Sequence, residues 1–272
     1  MICLVTGASS GIGHATALEL VRAGHVVYAA ARRLERMDDL REAGAHTVSM
    51  DVTDEAATER VVRTILEEQH RIDVLVNNAG VALHGAVEDV PLKRARELFE
   101  VNLFGAARLV QLVLPSMRAQ RSGTIVNVTS VGGEIALPLG AWYYASKHGL
   151  EAFSDTLRQE VGRFGVDVVV VQPGLIATEI QDGTAAELRE LSGQGPYAAL
   201  AEAMATRTES SNAQRHKLSD PSVVARTVLT AVETDRPKTR YVSGYMGKLL
   251  LRLNRLLSDR RFDKVATRGL DG

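Results

Sequence analysis

Tyr143 and Lys147 stand four residues apart in the stretch Tyr143-Tyr144-Ala145-Ser146-Lys147. On a helix, positions i and i+4 share one face, so a phenol and an ammonium could point into one cavity. A free tyrosine titrates near ~10, too high for efficient proton transfer near neutrality. A neighbouring positive charge favours the phenolate and lowers that value. The pair is therefore a candidate general acid/base. Tyr144, three residues from Lys147, competes for the same role. A solvated lysine beside a packed tyrosine would show the same spacing, so the rest of the chain has to decide.

A second group of residues suits a phosphate. Thr6-Gly7-Ala8-Ser9-Ser10-Gly11-Ile12-Gly13 follows a β-branched run and opens a helical pattern. Glycines at a strand-to-helix turn let the backbone bend sharply and approach a ligand, while the helix N-terminus attracts a pyrophosphate. Gly7, Ser9, Ser10, Gly11, Ile12 and Gly13 are the candidate contacts. An acidic residue at the end of the next strand would hold the ribose hydroxyls of NAD and repel a 2′-phosphate. This chain reads Tyr28-Ala29-Ala30-Ala31-Arg32-Arg33, with Ala31 in that position and Arg32 next to it. Arginine forks onto phosphate oxygens, which favours NADP(H) and leaves NAD(H) as a second cofactor.

These residues need a scaffold. Strands are expected at Ile2–Thr6, Val26–Ala30, Thr47–Met50, Val74–Val76, Thr124–Val128 and Val166–Val171. Helical patterns separate them near Ile12–Ala23, Leu34–Glu42, Glu55–His70, Leu92–Gln120 and Trp142–Phe164. This alternation predicts an α/β fold, a doubly wound parallel sheet with helices on both faces. No internal repeat or linker divides the chain. The expectation is one Rossmann-like domain over residues 1–272, with a cofactor and catalytic core in 1–180 and a helical, substrate-covering region in 181–272. Residues 181–219 read either as loosely specified helices or as a mobile loop. A helix should start at Ser219-Asp220-Pro221, and Arg240-Tyr241-Val242 reads as a last strand. In the tail, Met246, Leu249, Leu250, Leu253, Leu256 and Leu257 fall on one helix face, opposite Arg252, Arg255 and Asp259.

Length and composition bound the function. The 272 residues carry a net charge of −1, which gives no pull toward nucleic acid. Yet Arg236–Gly272 holds ten Lys/Arg against three Asp/Glu. Cys3 is the sole cysteine, so no intrachain disulfide is possible and a reducing, cytoplasmic setting is expected. The N-terminus shows no signal-peptide pattern and no uncharged apolar run reaches the ~18 residues a bilayer requires. No metal ligands are assigned.

The Gly-x-x-x-Gly-x-Gly spacing resembles the short-chain dehydrogenase/reductase family, and further motifs extend the resemblance over roughly residues 1–180. Asn77-Asn78-Ala79-Gly80 follows a strand, as the family's sheet-bracing segment does. Asp51, followed by Val52, matches its adenine-contacting aspartate. Asn102 in Val101-Asn102-Leu103-Phe104-Gly105 matches its helix asparagine, and Ser130 lies thirteen residues before Tyr143, the family spacing. Pro173-Gly174, with Ile176 and Thr178 beyond, matches the segment that holds the nicotinamide. The resemblance implies reversible hydride transfer between a nicotinamide and a carbonyl or alcohol. Tyr143 would be the proton donor, Lys147 its electrostatic tuner and a ribose ligand, Ser130 the group orienting the substrate oxygen, and Asn102 the support of a water relay. Asn78, Ala79, Gly80, Asp51, Val52, Pro173, Gly174, Ile176 and Thr178 would join the cofactor site. The distance to Ser130 favours Tyr143 over Tyr144.

Substrate choice would lie in the variable stretches. Val81, Leu83, Leu137, Leu139, Trp142, Leu175 and Ile180 suggest a modestly apolar pocket, although each could equally be core. His84 reads as a surface-loop histidine, with substrate contact as the alternative. The long tail resembles that of members near the hydroxysteroid and retinol dehydrogenases. It would pack within the protein, with subunit contact or an anionic membrane surface as alternatives. Homodimers or homotetramers through the two long helices are implied by the family. A reading from another class is a dinucleotide-binding regulatory protein without turnover, which such proteins usually reach by losing the Tyr or Lys retained here.

Overall fold

Seven short strands built mainly from Val, Ile, Leu and Ala form a single parallel sheet in a computed structural model that describes residues 1–270. They are β1 (Ile2–Thr6), β2 (Val26–Ala31), β3 (His46–Ser49), β4 (Val74–Asn77), β5 (Gly123–Val128), β6 (Val166–Pro173) and β7 (Arg240–Ser243). Their order is β3-β2-β1-β4-β5-β6-β7. Successive side chains of a strand point to opposite faces, and both faces here are covered. Val5, Val27, Val76 and Val171 pack with Ala17 and Leu20 of α1 (Gly11–Arg22), and with Val224 and Val228 of α9 (Pro221–Glu233). Leu4, Tyr28, Leu75 and Ile125 face the other way. They meet Ile65 of α3 (Glu55–Gln69), Leu109 and Val113 of α5 (Gly105–Gln120), and Leu157 of α6 (Ala141–Val161). The doubly wound domain expected from the sequence is the fold observed.

Several boundaries shift for local reasons. The expected helix over residues 34–42 is a 3₁₀ turn (Leu34–Met37) followed by the short α2 (Asp38–Glu42). The third strand starts one residue earlier than expected, although the Met50 amide still donates to Ala31 O at 3.0 Å. The helix expected over 92–120 splits into α4 (Leu92–Phe99), a π-helical turn at Glu100–Phe104, and α5. A π turn inserts one extra residue and commonly marks a functional position. This one carries Asn102. By length and hydropathy alone the 92–120 unit could span a bilayer, but Leu109, Val113 and Met117 are fully buried against the sheet. It is a core helix.

Beyond β6 the chain is helical rather than looped. α7 (Thr184–Ser192) and α8 (Ala198–Ala213) pack on each other through Leu188, Ala201 and Ala205. Asp220 caps α9, accepting from the Ser222 amide at 2.8 Å, with Pro221 in the first turn. The tail forms two helices, α10 (Gly247–Leu256) and α11 (Asp259–Ala266), rather than one. Its buried stripe is also offset from the expected one. Leu250, Leu251, Leu253, Leu257 and Phe262 pack against Val131 and Ile135, whereas Leu249 and Leu256 are exposed.

Candidate active site

A parallel sheet whose order reverses between β1 and β4 leaves a crevice at the carboxyl ends of its strands. Here that crevice is a cleft of roughly 370 Å³. The β1–α1 turn forms its floor. Gly7 has φ +67°, and a Cβ there would lie 2.9 Å from Ala79 Cα. Gly11 has φ +55°, with Thr178 3.2 Å from where a Cβ would stand. The turn therefore lets the 78–80 and 174–178 segments close on it from both sides. Ser10 precedes α1 without a side-chain cap, so the amides of the first turn stay available to an anion. Asn78 Nδ2 donates to Thr6 O at 3.0 Å, and Thr6 Oγ1 accepts from the Asn78 and Ala79 amides, also at 3.0 Å.

The far end of the cleft is basic. Ala31 occupies the end of β2, Arg32 and Arg33 line the wall, and Asp51 lies 3.8 Å from the Arg32 guanidinium. Arg33, next to Arg32 in the sequence, donates to Ser9 Oγ at 3.3 Å and so brings a second cation to the glycine turn. Met50, Val52, Ile12, Gly80, Pro173, Gly174 and Ile176 complete the walls. An elongated groove with glycines, free helix amides and two arginines suits a dinucleotide. Gly13 does not reach the cleft. A Cβ there would lie 2.4 Å from both Gly7 O and Asn78 Nδ2, so this glycine serves the tight packing behind the turn.

At the other end stand Ser130, Tyr143 and Lys147. Ser130 follows β5, its Oγ accepts from the Gly132 amide at 3.0 Å, and its hydroxyl faces the same cleft as the Tyr143 phenol. Tyr143 and Lys147 project from the first turns of α6. Burial pushes the Tyr143 phenol above its ordinary value, and the Ser130 hydroxyl pulls in the opposite direction. The expected lowering by Lys147 is not what the protein alone produces. The reason lies in Lys147 itself, which is 4% exposed and donates to Val128 O at 3.2 Å. Burial lowers its pKa to about 8, while Glu151 draws it back up. Tyr144 also lines the cleft, its ring edge-on to that of Tyr143 at 5.6 Å. Its ring fills the space beside Gly132 and Gly140, where an added Cβ would sit 2.9 and 2.5 Å from ring carbons. Both tyrosines therefore face the cleft, and the thirteen-residue spacing from Ser130 remains the ground for assigning the proton donor to Tyr143.

Asn102 is buried behind this group, outside the lining of the cleft. Its amide is fully engaged. Oδ1 accepts from the Val81 amide at 2.8 Å, and Nδ2 donates to Val81 O at 2.9 Å and to Ser146 Oγ at 3.0 Å. A Cβ on Gly80 would lie 3.4 Å from Asn102 Oδ1 and 3.5 Å from Lys147 Nζ, so glycine keeps the path between them open.

Two supports were not legible beforehand. Under Lys147, the buried Glu151 carboxylate accepts from Thr129 Oγ1 (2.6 Å), Gln172 Nε2 (3.0 Å) and Arg240 Nε (3.0 Å). It ties the ends of β5, β6 and β7 to α6. Above Tyr143, His84 is no surface residue. It lines the cleft, stacks on the Tyr143 ring at 6.2 Å, and is pushed down to about 4 by burial, so it is neutral at pH 7. Its amide donates to Glu187 of α7 at 2.9 Å, and Arg94 grips the same carboxylate at 2.6 Å. Of the apolar residues expected in the pocket, Val81, Leu137, Leu175 and Ile180 line it. Leu83 and Trp142 instead pack with Val90, Leu98 and Phe99, and Leu139 packs with α7 and α8. Val131, Ile135 and Leu250 take their places.

Residues 1–189 match the short chain dehydrogenase family. The chain is 33% identical over 96% of its length to the NADPH-dependent 3-dehydrocapnine reductase of Ornithobacterium rhinotracheale, covering 94% of that protein. It is 38% identical over 71% of its length to the 3-ketodihydrosphingosine reductase of Bacteroides thetaiotaomicron, covering 70% of it. Among solved structures, a short-chain dehydrogenase from Streptomyces avermitilis is 33% identical, with TM-score 0.76 and coverage of 98% and 96% of the two chains. A serine dehydrogenase complexed with NADP+ (26% identity, TM-score 0.78, coverage 90% and 95%) and a Burkholderia phymatum short chain dehydrogenase/reductase in complex with NAD (25%, 0.79, 98% and 94%) share the fold. A glycine turn closed by Asn78 and Thr178, a cleft that brings Ser130, Tyr143 and Lys147 together, and relatives matched along nearly the whole chain have one explanation: the chain belongs to the short-chain dehydrogenase/reductase family, NAD(P)-dependent oxidoreductases acting on alcohols and carbonyls.

Proposed function

We propose that this chain reduces a lipophilic ketone with NADPH. The observation that carries the reading is the cleft itself, with Ser130, Tyr143 and Lys147 under an apolar wall at one end and Arg32 and Arg33 in place of an acidic residue at the other. Gly7, Ser9, Ser10, Gly11 and Ile12 would hold the pyrophosphate, and Arg32 a 2′-phosphate. Asp51 and Val52 would flank the adenine, with Asn78, Ala79 and Gly80 beside it. Lys147, Pro173, Gly174, Ile176 and Thr178 would hold the nicotinamide half. When bound, the nicotinamide supplies the hydride.

The chain's own residues supply position and a proton. Ser130 Oγ holds the substrate oxygen against the Tyr143 phenol. Because burial raises the Tyr143 pKa, its hydroxyl stays protonated at neutral pH and is ready to be given to that oxygen. Lys147 steadies the negative charge left on the phenol, as an ammonium below its pKa of about 8. Asn102 acts as a positioning residue. By fixing Val81 and Ser146 it keeps Gly80 in place and the path to Lys147 open for a water that refills the proton. Neutral His84 and the side chains of Val131, Ile135, Leu137, Ile180 and Leu250 exclude water from the substrate side.

The substrate class is supported by that wall, which among the described residues offers no lining cation other than Lys147 near the reacting group, and by relatives named as a 3-ketodihydrosphingosine reductase and an NADPH-dependent 3-dehydrocapnine reductase. Exposed Leu92 and Phe104, beside a shallow groove with Phe99 and Trp142, support pairing of two copies through α4–α6. The test is nucleotide oxidation with purified protein against long-chain 3-ketones, short keto-esters and keto-sugars. Preferred turnover of the long-chain ketones with NADPH is expected. Equal turnover of the keto-sugars, or a preference for NADH, would refute it.

A further inference from the structure

The tail helices bury one apolar face and expose another. Leu250, Leu251, Leu253 and Leu257 pack into the protein, and Leu250 reaches the lining of the cleft. On the outside of α10, Leu249, Arg252 and Leu256 fall at i, i+3 and i+7, and Tyr245, 49% exposed, precedes the helix. Leu249 and Leu256 are 47% and 82% exposed. That spacing makes a continuous outer stripe along α10. Val265 of α11 is 53% exposed as well.

Charge surrounds this stripe. Between Gly247 and Ala266 there are six Lys/Arg (Lys248, Arg252, Arg255, Arg260, Arg261, Lys264) against two aspartates, Asp259 and Asp263. Arg255 is paired with Glu134 at 2.9 Å, and the other five cations are exposed. Leucines and a tyrosine set among exposed bases form the surface that settles into the headgroup region of an anionic bilayer. Two copies meeting through this face in a symmetric pair would set one cationic surface against the other. The charge therefore selects a negatively charged partner.

From this arrangement we infer that the outer face of α10 and α11 docks on anionic phospholipid, with Leu249 and Leu256 inserted and the surrounding Lys and Arg on the headgroups. Docking places the mouth of the cleft, walled by Leu250 and Ile180, beside the bilayer. Resting on the proposed function in this point alone, that is where a lipophilic ketone would be met.

The test is co-sedimentation of the full chain with phosphatidylglycerol/phosphatidylcholine vesicles and with pure phosphatidylcholine vesicles. Binding to the anionic vesicles is expected, weakening as salt is raised. The double variant Leu249→Asn/Leu256→Asn should bind about tenfold less, a scale set by burying leucine side chains, with an unchanged circular dichroism spectrum and unchanged turnover of a water-soluble ketone. Equal binding to both vesicle types, or by both proteins, would overturn the inference. A shift of the native chain from dimer to monomer caused by the double variant, with no vesicle binding by either, would overturn it in favour of a second copy of this chain. Vesicle binding is read without turnover, so its failure is separate from failure of the proposed reaction.

Discussion

Lys147 should cost this protein stability at the pH where it works. Its ammonium is buried, and its pKa falls from 10.5 to about 8. At 1.36 kcal/mol per unit, holding the charged form in the folded state costs about 3 kcal/mol. The bond to Val128 O at 3.2 Å offsets about 1 kcal/mol of what its removal would release. Lys147→Met, which keeps the length of the side chain, should therefore stabilise the nucleotide-free protein by about 2 kcal/mol near pH 7 while removing most turnover. The pH dependence has a definite sign. Below about 8, Lys147 is charged in both folded and unfolded chains and the whole penalty applies; between about 8 and 10.5 the folded group gives up its proton first and the penalty fades. The gain from the substitution should be full near neutrality, pass through zero near pH ~10, and turn into a loss of up to about 1 kcal/mol beyond it, where only the lost bond to Val128 O remains. Urea midpoints for both proteins across that range measure it. A variant less stable than the parent at neutral pH, or a gain that persists unchanged at the alkaline end, would falsify the account.

Three further outcomes follow from the same geometry. Tyr143→Phe should lower turnover by about 10³-fold, within the range general-acid catalysis supplies, whereas Tyr144→Phe, changed in a ring packed on Gly132 and Gly140, should keep most activity; steady-state assays of the two decide. Since burial holds the Tyr143 phenol protonated at neutrality, alcohol oxidation should accelerate as pH rises toward ~10 while ketone reduction declines, and pH–rate profiles in both directions read this directly. Arg32→Ala should raise the KM for NADPH by about 10- to 100-fold, the scale of one charge-assisted bond, and leave that for NADH nearly unchanged; equal effects on both would assign Arg32 to the surface.

What the sequence disclosed, and what it hid, divides along a physical line. Residues whose type is dictated by backbone geometry or chemistry were legible: glycines where φ is positive or another backbone comes within 3 Å, Val runs covered on both faces, and a Tyr, Lys and Ser at fixed spacing. Residues chosen only for being apolar were not. Leu83, Leu139 and Trp142 are indistinguishable by type from Val131, Ile135 and Leu250, yet the first three went into packed clusters and the others into the cleft wall. The π turn was hidden because one extra residue leaves a helical pattern over 92–120 intact, although it is what buries Asn102 beside Val81 and Ser146. Glu151 was invisible for the opposite reason. Four residues past Lys147 on a helix it reads as an exposed acid, and only Gln172, Thr129 and Arg240 arriving from three strands make it a buried carboxylate. The tail shows the limit most directly. A leucine-rich helix announces one apolar face, but with leucines at 249, 250, 251, 253, 256 and 257 the pattern supports two, and the side that β5's following segment covers decides which of them is left outside.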